Sequence, residues 1–157
     1  MTSKHPTVAG AAEAQGSMTR QQMLDFFKRR EDAYDDLDAA SLAADYADHA
    51  VIESPTAGMH TGPDAAERTF RVIFGAFLDL TTKVDSRLID GSSAVMVVSI
   101  EGTHIGEFLG LEPTGKRFIM SAVFFYQLEN GKIVRERRIY DFTGLLVQIG
   151  ALKAKPA

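Results

Sequence analysis

The chain has 157 residues, 45% hydrophobic and 24% charged, which fits one globular domain with a sizeable core and excludes a disordered chain. A formal net charge of -4 and a pI near 5.5 argue against nucleic acid or an anionic membrane as the partner. Without cysteine there is no disulfide framework, thiolate metal site or cysteine nucleophile, and no apolar run approaches the roughly 20 residues of a membrane span.

Residues 1–17 are small, polar and rich in Gly and Ala, the pattern of a flexible N-terminal tail. No hydrophobic export segment precedes the domain, so a cytoplasmic location is the expectation. The domain is expected over residues 18–152, with a short tail over 153–157. Thr19 and Gln22 form a predicted capping box, flanked by Met18 and Met23 at the spacing of a hydrophobic staple. Met23, Phe26, Phe27, Tyr34 and Leu37 then repeat at helical spacing. That stripe packs a core or lines a ligand cavity. Asp38 caps a second short helix carrying Leu42 and Tyr46, and Ala50 to Glu53 reads as a short strand. Pro55, Gly58 and Gly62 mark an irregular loop. Gly62-Pro63 opens a third helix, with Ala66, Phe70, Ile73, Phe74 and Phe77 as its buried stripe.

From Thr81 onward the period changes to that of strands. Four are predicted, at Lys83–Ile89, Ala94–His104, Arg117–Leu128 and Lys132–Tyr140. Asn130-Gly131 is a strong hairpin signal, because both residues tolerate positive φ. Thr143 to Gly150 closes the chain as a short helix. Helices followed by strands on short turns predict an α+β domain with an antiparallel sheet and a pocket between its layers. On the third of these strands Phe118, Met120, Ala122, Phe124 and Tyr126 share one face, and Ile119, Val123 and Phe125 share the other. Two apolar faces predict a strand buried between the pocket and a second subunit. On the fourth strand Ile133, Arg135, Arg137, Ile139 and Asp141 share one parity; Glu136, Arg138 and Tyr140 share the other, unless a bulge intervenes. No glycine-rich phosphate loop or metal-ligand spacing is present, and His49, His60 and His104 can meet only through folding.

The run Gly102-Thr103-His104-Ile105-Gly106-Glu107-Phe108 leads on through Pro113-Thr114-Gly115-Lys116. Asn130-Gly131-Lys132-Ile133-Val134, Tyr140-Asp141, Gly144-Leu145-Leu146 and Gln148-Ile149-Gly150 follow. This pattern resembles the SnoaL-like polyketide cyclases, or ester cyclases, of the NTF2-like superfamily, over roughly residues 19 to 152. The resemblance implies a conical α+β barrel, its curved antiparallel sheet wrapped around three N-terminal helices and an internal apolar pocket. It also implies a homodimer or higher oligomer, no metal and no organic cofactor. It implies ring closure of a polyketide ester by intramolecular aldol condensation, with Asp141 at the position of the essential acid/base. The family commonly carries tryptophans where this chain has Arg137 and Tyr140, and this chain has no tryptophan.

An aldol closure needs a base at an acidified carbon and an acid for the carbonyl that becomes a hydroxyl; one carboxyl group can serve both. In a dry pocket the pKa of such a carboxylate rises toward the working range. Asp141 is therefore the first catalytic candidate, with capping of the last helix as its other role. His104 is the second; it shares a strand face with Met96 and Ile100 and either polarises a carbonyl or is satisfied by backbone. The expected substrate-binding set is Phe27, Tyr34, Phe74, Met96, Phe124, Tyr126, Arg137 and Tyr140. The same scaffold can also carry an isomerase, dehydratase or epoxide hydrolase, or bind a hydrophobic metabolite without chemistry.

Overall fold

The computed structural model describes residues 16–154. The expected tails lie outside these up to residue 15 and from residue 155. The chain forms α1 (Arg20–Asp35), α2 (Ala39–Ala44), β1 (Tyr46–Ser54), β2 (Gly58–Thr61) and α3 (Pro63–Ala76). Then follow β3 (Thr81–Asp90), β4 (Ser93–Thr103), β5 (Arg117–Glu129), β6 (Lys132–Tyr140) and α4 (Phe142–Gln148). The fold is α+β, as expected. The six strands make one curved sheet in the order β2-β1-β6-β5-β4-β3, which does not close on itself. α1 packs on β3 and α2, α3 on α2, β1 and β2, and α4 on β5. No helix among the described residues is long and apolar enough to cross a membrane.

The helix starts follow local chemistry. Thr19 Oγ1 accepts from the Gln22 amide at 3.1 Å, and Gln22 Oε1 accepts from the Thr19 amide at 2.8 Å. Two of the orphan amides at the end of α1 are thereby satisfied reciprocally. Pro63 stands in the first turn of α3, where its missing N–H costs nothing. Asn130 and Gly131 both have positive φ, 50° and 74°, and turn β5 into β6. Met23, Phe27, Phe70, Phe77, Phe118 and Ile133 are among the fully buried side chains of the single core.

Three features differ from the sequence reading. The loop around Gly58 contains β2, antiparallel to β1. Tyr46 opens β1 instead of ending α2, and β1 pairs with β6 in parallel, so the sheet is mixed. Tertiary pairing supplies both, since a four-residue edge strand and a parallel neighbour leave almost no local pattern. Third, the β5–β6 register slips between Leu128↔Ile133 and Gln127↔Arg135, so Val134 is a bulge. The bulge flips the parity after Ile133. Glu136 and Arg138 turn inward to full or nearly full burial, and Arg135, Arg137 and Ile139 turn outward.

The segment after β4 is clamped to the end of α3. The Ile105 and Gly106 amides both donate to the Ala76 carbonyl, each at 3.0 Å. A Cβ on Gly106 would collide with the Gly75 carbonyl oxygen and stand 3.1 Å from Ala76 Cα. Two backbones touch there, which only glycine permits. Gly106→Ala should therefore destabilise the fold by about 1–3 kcal/mol, the usual cost of overpacking. Urea unfolding checks this, and a change within experimental error would dismiss the close approach.

Candidate active site: an apolar cavity with a charged end

A cavity of about 300 Å³ lies between the inner face of the sheet and the helices. That is the lower end of small-molecule pockets, which run from roughly 300 to 1,000 Å³. Phe27 and Tyr34 of α1 and Phe70 and Phe74 of α3 form its helical wall. Their rings meet edge to face or stacked: Tyr34–Phe70 at 5.8 Å, Phe70–Phe74 at 5.9 Å. Met96 of β4, Phe124 and Tyr126 of β5 and Tyr140 of β6 form the opposite wall. The alternation of β4 and β5 aims these side chains inward, so seven of the eight expected substrate-binding residues meet in one space. The eighth, Arg137, is exposed on the outer face of the sheet, its Nε 3.7 Å from Glu53; the Val134 bulge places Arg138 inside instead.

The two catalytic candidates stand elsewhere. Asp141 is exposed and does not line the cavity. Its Oδ1 accepts from the Gly144 amide at 2.8 Å, and it caps α4. The dry setting expected for this carboxylate is absent. His104 is fully buried on the inner side, as its strand parity predicted, but it sits behind Phe77 and Phe108 and not on the cavity wall. The Thr114 amide donates to His104 Nδ1 at 3.3 Å, and Thr114 Oγ1 lies 3.1 Å from the same atom. Nε2 has no partner among the described residues. Thr56 and Tyr140 hydrogen-bond to each other at the cavity wall, between the β1–β2 loop and the end of β6.

The polar end of the cavity is a buried network that the sequence reading did not assemble. Arg138 Nε and Nη2 donate to the two carboxylate oxygens of Glu136 at 2.8 and 3.1 Å. The Tyr46 hydroxyl donates to Glu136 from the other side. Arg30 of α1 donates to the Leu42 carbonyl at 2.9 Å, to Asp45 at 3.0 Å and to the Tyr46 hydroxyl at 3.3 Å. Arg30 and Arg138 both reach the cavity wall. A signal for Arg30 existed: it falls seven residues after Met23 and four after Phe26, on the apolar stripe itself. Nothing comparable marked Glu136, whose inward turn depends on the bulge.

Burial alone would push the Glu136 carboxyl up, but the charge and hydrogen bonds of Arg138, then Arg30, hold it below the usual carboxylate range. Burial and the negative Glu136 raise the phenols of Tyr126 and Tyr46, and burial raises Tyr34. Glu136 is therefore a poor base, and the phenols stay protonated as donors at neutral pH. A carboxyl group depressed by folding stabilises the fold above its unfolded pKa and loses that contribution as pH falls through the lower folded value. Stability should drop below roughly pH 4, where unfolded glutamate begins to bind protons. Glu136→Gln should be less stable at pH 7 and show a shallower acid limb, read by urea unfolding from pH 7 to pH 2. Asp38 and Asp79, also held low by their hydrogen bonds to Ser41 and Thr103, contribute to both variants equally. Equal slopes would remove Glu136 as a source of the acid sensitivity.

Comparisons with known proteins agree with this architecture. The family model for the SnoaL-like polyketide cyclases matches residues 5–149. The nogalonic acid methyl ester cyclase of Streptomyces nogalater is 30% identical over 117 residues, covering 74% of this chain and 84% of that enzyme. Among solved structures, AclR from Streptomyces galilaeus superposes with a TM-score of 0.76 at 22% identity, over 88% of this chain and 87% of its own. TsrD from Streptomyces laurentii does so with 0.75 at 22% identity, over 86% and 99%. At that identity the two structures speak for the fold. The length of the family match decides the rest: this chain belongs to the SnoaL-like polyketide cyclase family.

Proposed function

We propose that this protein closes a ring in an apolar, polyketide-type carbonyl compound by intramolecular aldol addition, without a cofactor. The observation that carries the reading is the enclosed apolar cavity with donors gathered at one end. A carbon flanked by two carbonyls loses a proton to a base, and the enolate carbon attacks a second carbonyl of the same molecule. The new alkoxide then takes a proton, so every atom is retained. Tyr34 and Tyr126, kept protonated by burial, donate to the enolate oxygen as charge develops there. The aromatic walls hold the chain folded on itself, which supplies much of the acceleration.

Asp141 is the proton acceptor in this reading. It follows the cavity residue Tyr140 directly, and its present bond is a helix cap worth only about 1 kcal/mol, so exchanging that bond for substrate is inexpensive. Asp141→Asn retains the cap, because asparagine caps as well as aspartate. With nogalonic acid methyl ester and its free acid as trial substrates, that variant should lose roughly 100-fold or more in ring-closed product while keeping its melting temperature. Undiminished turnover would strike Asp141 from the mechanism. A second reading is favoured by the exposed position of Asp141 and the ion pairing of Glu136. In it the cavity binds a hydrophobic metabolite without turning it over, and both substrates would bind unchanged.

A second copy of the chain is proposed to cover the outer face of the sheet. Ile119 (60% exposed), Ile139 (54%) and Leu88 (68%) stand there beside half-buried Val123 and Phe125. Sedimentation should give a dimer that Val123→Glu converts to monomer. A monomeric parent protein would refute the pairing.

A further inference from the structure

The guanidinium of Arg138 is only partly used. Its side edge, Nε with Nη2, is taken by the two oxygens of Glu136. Its Nη2 reaches the Tyr46 hydroxyl at a weak 3.5 Å. Its Nη1 meets no acceptor among the described residues, although the residue is 6% exposed and lines the cavity. Nor is Nη1 one of the dry, unpartnered atoms, a set that includes Arg30 Nε and both nitrogens of His60. It therefore keeps some accessible surface. The plane of the group is fixed by Glu136 and by Phe70, whose ring centre lies 5.1 Å from the guanidinium carbon.

The surrounding charge is unbalanced in one direction. Glu136 answers Arg138, and Asp45 is shared by Arg30 and Arg29. Glu31 on the cavity wall is paired with Arg87. Arg68 of α3 also lines the cavity and has no ion pair among the described residues. Burial, and then repulsion from Arg138, outweighs the opposing pull of Glu136 and, with a smaller push from Arg68, holds the neighbouring His60 ring below the usual imidazole range. The excess is Arg68, which is exposed, so its pull on an anion acts partly through water and is modest.

From this geometry we infer a carboxylate subsite: Arg138 Nη1 receives the carboxylate of an apolar aromatic acid, with Arg68 at the wall drawing it in. The inference rests on the cavity being the ligand site, as proposed above, but not on turnover. It assigns the protein a substrate class, free acids rather than their neutral esters. One planar carboxylate suits a single free guanidinium edge, and an otherwise aromatic wall suits an aromatic body.

The test is binding of 2-naphthoate and methyl 2-naphthoate at pH 7, by calorimetry. The acid should bind at least 10-fold tighter than the ester. Arg68→Ala should weaken the acid several-fold and leave the ester unchanged. Arg138→Met strands the buried Glu136 and can unfold the protein, so the Glu136→Gln/Arg138→Met pair is the decisive variant. It should narrow the preference to the several-fold that Arg68 alone supplies. Equal affinities in the parent protein, or a preference undiminished in the double variant, would overturn the carboxylate subsite while leaving the cavity as a ligand site. Binding of neither compound would remove both.

Discussion

Glu136 has no exposed surface, and the two arginines facing it are almost as deeply buried. Moving such ions out of water costs several kcal/mol each, so each must find its partner before helices and sheet can close. The arrangement does this with three elements. β6 supplies Glu136 and Arg138, β1 supplies Tyr46, and α1 supplies Arg30 with Asp45 just after α2. The parallel pairing of β1 with β6 brings Tyr46 opposite Ile133, within reach of the carboxylate. The Val134 bulge turns that carboxylate inward. Sheet topology, strand register and helix docking are thus coupled through one carboxyl group.

The same coupling explains why the cavity is lopsided. Two layers of aromatic rings meet at edge-to-face and stacked distances across α1, α3 and β5, and such rings leave space between them without strain. Away from the network the walls are Phe77, Phe108 and Phe118, packed at 4.9 and 5.1 Å and backed by the buried His104. A ligand would meet hydrocarbon along most of its length and charge at one end. That contrast is what gives a small pocket an orientation to impose.

Asp141 sits where two demands compete. A carboxylate at the start of α4 satisfies an orphan amide, and Gly144 lacks a Cβ because that carboxylate lies against it. The cap commits one oxygen and leaves the group in water. The carboxylates near the cavity are committed elsewhere, Glu31 on its wall to Arg87 and Glu136 behind the wall to Arg138. The ring closure proposed above would depend on how readily that cap is given up.

Much was legible from residue order alone. Periodicity, caps and turn residues placed four helices and five of the six strands, because these signals arise within a few residues of one another. Strand parity likewise put Met96, Phe124 and Tyr126 on the inner face, and the motif from Gly102 to Gly150 identified the family. Three things were decided only in three dimensions. The parallel β1–β6 pairing joins segments some eighty residues apart, and no local pattern announces it. The bulge at Val134 exchanged Arg137 for Arg138 at the cavity, since one extra residue reverses every later side chain. The exposure of Asp141 followed from the same reversal. Whether a charge lies in water or in the core is a property of its neighbours in space, and those neighbours come from distant parts of the chain.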